Sequence, residues 1–159
     1  MHQRFKGFTL VEMIVTVAVL AVLISIAVPS YIALIAKNRA DTETGDFYRA
    51  LNFARLEAIN RGVSIRLTPK TANTWAGDVY VALSSVASPS TTNLRVLPAM
   101  ASSSVMAPAS AISYVEFNNL GAMVYPTSAV LFTYTNGTVS RNVLLCVNGR
   151  VLLNNGTSC

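Results

Sequence analysis

Lys6-Gly7-Phe8-Thr9-Leu10-Val11-Glu12 decides how the rest of this chain is read, because no charged residue follows Glu12 until Lys37. The 24 residues from Met13 to Ala36 form an apolar run without a single charge. As a helix rising about 1.5 Å per residue they would extend roughly 36 Å, more than the about 30 Å of a bilayer's hydrocarbon core. The run therefore predicts a membrane span. Arg4 and Lys6 precede it with no acidic residue between, so the positive-inside rule holds the short N-terminus in the cytoplasm and sends the remainder across.

An ordinary cleaved secretory signal is the competing reading, with a basic start, an apolar core of about 7–15 residues and a small-residue cleavage site. The run here is too long for that. Glu12 is a second misfit, since a carboxylate inside a membrane segment costs on the order of 2.5–3.5 kcal/mol on insertion scales and marks a functional position.

These residues resemble the type IV pilins and the pseudopilins of type II secretion. Their prepilin motif is a short basic leader ending in Gly, followed by Phe-Thr-Leu-x-Glu. Pro29 also falls where that family places a helix-kinking proline. The resemblance implies that prepilin peptidase cuts between Gly7 and Phe8 and N-methylates Phe8. It also implies that the apolar helix stays in the mature protein.

A carboxylate in an apolar bundle needs a partner charge or a proton. The free amine of Phe8 in a neighbouring subunit is the expected partner of Glu12, and that pairing would set the axial register as subunits join a helical filament. Pro29 removes one helix hydrogen bond and crowds the preceding turn, which predicts a kink or a locally melted segment.

With 159 residues, the chain suits one compact domain on a stem. Charged residues make up only 12% and apolar ones 52%, an imbalance that the stem explains in part. The formal charge is +5; without Arg4 and Lys6 it is +3. No basic run follows Lys6, which favours ordinary solubility over nucleic-acid binding. Cys146 and Cys159 form an even pair that reads as a disulfide in an oxidising compartment. Metal binding is the weaker reading because the single histidine, His2, lies in the leader. A mature chain without histidine also lacks the usual general base, so neither an enzyme, a cofactor nor a metal site is expected.

Past the apolar run, Phe47, Leu51, Ala54 and Ala58 follow one another at spacings of four, three and four, a single helical stripe. Gly62 sits where a helix-terminating glycine belongs. One long helix is expected from about Thr9 to Arg61, softened at Pro29 and Gly45. The period then changes to two. Strands are expected from Val63 to Thr68, Asp78 to Leu83, Leu94 to Leu97, Tyr114 to Phe117, Val130 to Thr135, Asn142 to Val147 and Arg150 to Leu153. Asn136-Gly137 and Asn148-Gly149 are favoured hairpin dipeptides. The Ser-, Ala- and Thr-rich stretches from Ser84 to Asn93 and from Ala99 to Ser113 read as loops. The expected fold is α+β: a long N-terminal helix, membrane stem plus amphipathic half, packed on an antiparallel sheet. The segments are a leader at 1–7, a filament-core helix at 8–36, its amphipathic half at 37–62, and a periplasmic β-rich domain at 63–159.

Four stretches between about Arg49 and Arg150 resemble the minor pilins FimU and FimT and the minor pseudopilin GspH: Ala54-Arg55-Leu56-Glu57-Ala58-Ile59, Trp75-Ala76-Gly77-Asp78-Val79-Tyr80-Val81, Phe117-Asn118-Asn119-Leu120-Gly121 and Val147-Asn148-Gly149-Arg150-Val151. That likeness implies a single-pass inner-membrane protein that joins a minor-subunit priming complex and rides to the tip of a type IV pilus, supporting twitching motility. Its expected partners are other minor pilins, the major pilin, prepilin peptidase and the inner-membrane assembly platform, with no small-molecule substrate. A GspH-like role in type II secretion is the alternative. A FimT-like DNA contact is the third reading, but that motif is Gly-Arg-x-Arg and here Gly149-Arg150-Val151-Leu152 lacks the second arginine. One arginine adds little salt-dependent affinity for phosphates.

Overall fold

The computed structural model describes residues 8–86, 91–153 and 159. Among these residues helix α1 runs from Leu10 to Arg61 and nine strands follow: β1 Ile65–Pro69, β2 Val79–Leu83, β3 Arg95–Leu97, β4 Ser104–Pro108, β5 Val115–Phe117, β6 Met123–Tyr125, β7 Val130–Asn136, β8 Val139–Leu145 and β9 Val151–Leu153. The chain divides into two compact units, 1–36 and 37–159. In the first, the Val, Leu and Ile side chains from Leu10 to Leu34 are exposed, and the helix is long and apolar enough to cross a membrane.

No melted segment interrupts α1 at Pro29 or Gly45, where the chain is helical throughout. A proline removes one donor, while the i to i−4 bonds on either side persist. Gly62, with φ 68°, ends the helix, and its N–H donates to the Ile59 carbonyl. A left-handed residue at that place is the usual helix stop, and glycine adopts it without Cβ strain.

In the second unit the helix buries Ala40, Thr44, Phe47, Ala50, Leu51, Ala54 and Ala58. The stripe legible in the sequence is thus the packed face, extended one turn and more toward the N-terminus. Phe47 meets Trp75 and Phe132 edge to face at centroid distances of 6.1 and 4.9 Å, and Trp75 and Phe132 stand 5.1 Å apart. All three rings are fully buried, and such edge contacts add about 0.5–1.5 kcal/mol per pair beyond area burial. The indole N–H of Trp75 donates to the Ile112 carbonyl at 3.2 Å, so burying the ring leaves no unsatisfied donor.

Two antiparallel sheets, not one, cover the helix: a five-stranded sheet ordered β3-β2-β1-β5-β6 and a four-stranded one ordered β4-β7-β8-β9. Strand β1 alternates as its sequence predicts, with Ile65, Leu67 and Pro69 inward and Arg66 and Thr68 only half-buried. Two strands escape the sequence pattern. Strand β4 lies within the Ser- and Ala-rich stretch expected to be a loop, and β6 is too short to show a period. Strand β4 exists because it pairs with β7 along its whole length, from Ser104 opposite Asn136 to Pro108 opposite Phe132; neighbours, rather than propensity, make it a strand.

Both hairpins form, each slightly displaced from expectation. Asn136 pairs with Val139, so the two turn residues are Gly137 and Thr138. The second turn holds three residues, Val147, Asn148 and Gly149, between Cys146 and Arg150, whose backbones bond through the Cys146 N–H and the Arg150 carbonyl. Gly149 takes φ 78°, the left-handed residue that closes a three-residue hairpin loop. Cys146 and Cys159 are joined by a disulfide.

Candidate functional site

Two places in this chain bring together the residues singled out by sequence. The first is the start of α1. Thr9 is its N-cap: the Glu12 carboxylate accepts from the Thr9 backbone N–H at 2.9 Å and from its hydroxyl at 3.0 Å, and the Glu12 N–H donates to the Thr9 hydroxyl oxygen at 3.3 Å. This is a reciprocal capping box, which satisfies donors that a helix start leaves open. Thr-x-x-Glu is a readable signature of it, and sequence reasoning that looked for a partner of Glu12 in another subunit missed the one three residues away. Gly7 lies outside the described residues; Phe8 is exposed at the head of the stem, and Pro29 lies within the exposed apolar part of α1.

The second place lies in the head, where three of the four resembling stretches converge. The Arg55 Nε–H donates to the Gly121 carbonyl at 3.0 Å. Gly121 has φ 78°, and a Cβ there would stand 2.6 Å from Ile59 Cδ1; a Cβ on Gly149 would stand 1.9 Å from the Gly121 carbonyl oxygen. Gly149 is therefore required for close approach to backbone as well as for its dihedral, whereas at Gly121 the dihedral makes the demand, since the Ile59 side-chain end can move aside. Asn118 holds the first loop, its side-chain oxygen accepting from the N–H groups of Leu120 and Ala122, both at 3.0 Å. The Met123 N–H donates to the Val147 carbonyl at 2.8 Å, which ties β6 of one sheet to the β8–β9 turn of the other. The fourth stretch, around Trp75, stands apart as core.

Arg150 lies at the end of this turn with its side chain exposed and, among the described residues, no carboxylate paired with it, while its N–H donates to the Asn148 side chain at 3.0 Å. Leu152, where the DNA-binding pattern has its second arginine, is a half-buried residue of β9.

A third group had no sequence signal. Glu43, on α1, accepts from the Tyr134 hydroxyl at 2.7 Å and from the Ala101 N–H at 2.9 Å, and the Tyr134 hydroxyl lies 2.9 Å from that of Ser104. Burial pushes the Glu43 carboxyl up, but hydrogen bonds from Ser104, Ala101 and Tyr134, with the charge of Arg39, outweigh it and hold the group below the usual carboxylate range. Burial raises Tyr134 above the usual phenol value, with the Glu43 charge adding to it. Asp41 pairs with Arg141 at 2.8 Å. These contacts clip the helix to β4, β7 and β8.

A cleft of about 310 Å³ lies over β1, and its cations are already occupied: Arg66 pairs with Glu116 at 2.9 Å and Lys70 with Asp78 at 3.4 Å. Among the described residues, no cluster of three or more His, Cys, Asp and Glu could hold a metal.

Residues 43–150 match the family profile described as type II transport protein GspH, and residues 2–28 match the prokaryotic N-terminal methylation motif. Two crystal structures of the type IV minor pilin FimU of Pseudomonas aeruginosa strain PAO1 are similar in fold. The P21 form matches at 20% identity with a TM-score of 0.65, covering 77% of this chain and 96% of that one. The P65 form matches at 20% identity with a TM-score of 0.62, covering 75% and 98%. No curated protein matches the chain. At this identity the likeness to FimU concerns the fold.

Proposed function

This chain belongs to the GspH family, and on that premise we propose that it is a priming minor pilin. As a pilin-type structural subunit rather than an enzyme, it works with other pilins and with prepilin peptidase. In the proposed sequence of events, prepilin peptidase cuts between Gly7 and Phe8 and methylates Phe8. The stem from Phe8 to Ala36 then rests in the inner membrane as a single pass, with the head in the periplasm. Together with other minor subunits and the assembly platform, the chain nucleates a type IV pilus, is carried near its tip and supports twitching motility.

The observation that carries this reading is the presence, in one chain, of the methylation motif over 2–28 and a pilin-like head whose fold matches nearly all of a solved minor pilin. Glu12 keeps its place in the mechanism. Its capping hydrogen bonds leave its charge uncompensated within an apolar stem, and the amine of Phe8 in the next subunit would neutralise it and set the register.

A pseudopilin of type II secretion is the second reading, favoured by the description of the family itself. Deleting the gene separates the two. Sparse or absent surface pili and lost twitching, with secretion intact, support the priming pilin; intact pili with blocked export of type II substrates support the pseudopilin.

A further inference from the structure

The head carries an apolar face that its own fold leaves open. Leu56 and Ile59 lie one turn apart on α1 and are 57% and 43% exposed; Leu120, beside Gly121, is 79% exposed, and Val147, on the adjoining turn, 45%. Ile59 borders Gly121, Gly121 lies against Gly149, and the Val147 carbonyl accepts from the Met123 N–H, so the segments that carry these exposed residues adjoin one another. Arg55 and Arg150 flank this face. Exposed apolar residues gathered in this way, with arginine beside them, have the composition of a protein interface.

The charges say what kind of partner fits. The head contains six side-chain carboxylates, and its own groups engage each one: Asp41 with Arg141, Asp46 with Arg49, Glu57 with Arg61, Asp78 with Lys70, Glu116 with Arg66, and Glu43 with Tyr134 and Ala101. Arg55 and Arg150 have none among the described residues. A second copy of this chain would bring a matching pair of arginines and no free side-chain carboxylate to meet them, and covering unpaired like charges is costly. We propose that this face docks a different pilin-type subunit, one whose contact surface is apolar and flanked by Asp or Glu, and that it disfavours self-association. The inference rests on the reading of the chain as a filament subunit.

The test places a photoreactive benzoyl-phenylalanine at Leu120 in the full-length chain, expressed in cells lacking the native copy, and scores both the adduct and recovery of the chain in sheared filaments. The expected result is an adduct with a chain of different sequence, on a segment carrying acidic residues. Arg150→Glu should lower its yield about tenfold and Arg150→Lys should preserve it, since an exposed charge is reversed in one and kept in the other. Neither change touches a buried group, so unchanged thermal unfolding is expected in both. An adduct with a second copy, with lipid or with DNA overturns the proposal, as does an equal yield from Arg150→Glu. Absence of any adduct overturns it whether or not the chain reaches filaments. The expected adduct in a chain that never enters filaments would sustain the docking face and count against the filament reading alone.

Discussion

The carbonyl oxygen of Gly121 occupies the space that a Cβ on Gly149 would need, at 1.9 Å from its ideal position. The two glycines lie 28 positions apart in sequence, and they bring a loop of one sheet against the β8–β9 turn of the other, with the Arg55 side chain beside both.

Gly149→Ala should therefore cost more than a dihedral. A left-handed residue with a Cβ costs roughly 1–2 kcal/mol, and pushing backbone aside in a packed region adds about 1–3 kcal/mol. Gly137→Ala supplies the control, because Gly137 also has a positive φ of 58° but no atom within 4 Å of its would-be Cβ. Denaturant unfolding of the two variants should give the larger loss at Gly149; equal losses would mean that the approach to Gly121 contributes nothing.

Acid should weaken the clip at Glu43. Its folded pKa lies below the ordinary value, so the stability it contributes is fully present above the unfolded carboxylate pKa of about 4.3 and is lost as pH falls through the lower folded value. Glu43→Gln should flatten the decline of stability below about pH 4.5 relative to the parent. Tyr134→Phe should cost about 1–3 kcal/mol at neutral pH, because it removes the hydroxyl between the Ser104 and Glu43 side chains. Thermal melts across pH check both, and superimposable curves would refute the first.

Charge and capping at Glu12 can be told apart. Glu12→Gln keeps an oxygen able to accept from Thr9 but removes the charge. Thr9→Ala removes the cap and keeps the charge, at a cost of about 0.5–2 kcal/mol to the helix start. If the carboxylate sets register, Glu12→Gln should insert and be processed yet stay out of sheared filaments, whereas Thr9→Ala should enter them. Immunoblots of membrane and filament fractions read the result, and normal incorporation of Glu12→Gln would sink the register model.

The disulfide closes the C-terminal segment, with its cysteines 13 residues apart. In the chain-entropy account a loop of this size contributes roughly 3 kcal/mol. Because Cys146 is buried and Cys159 exposed, Cys159→Ser tests the bond without placing a hydroxyl in the core. Urea midpoints should fall for this variant and for the parent under reducing conditions by similar amounts. No change in either would mean that the tail does not support the head.

The sequence alone determined whatever has a local period or a local rule. The apolar stem follows from hydropathy and length, and the buried face of α1 from the spacing of Phe47, Leu51, Ala54 and Ala58. Most strands follow from alternation, and the turns at Gly137 and Gly149 from their dipeptides, although the register moved by a residue. Tertiary structure alone decided the second sheet, strand β4, the union of Arg55, Gly121 and Gly149, and the bond between Glu43 and Tyr134 across 91 residues. The physical reason is common to all of these. A helix stripe or strand alternation is set by contacts between near neighbours, whereas a Ser- and Ala-rich segment becomes a strand, and two glycines become a junction, only when the packing of distant residues brings them together.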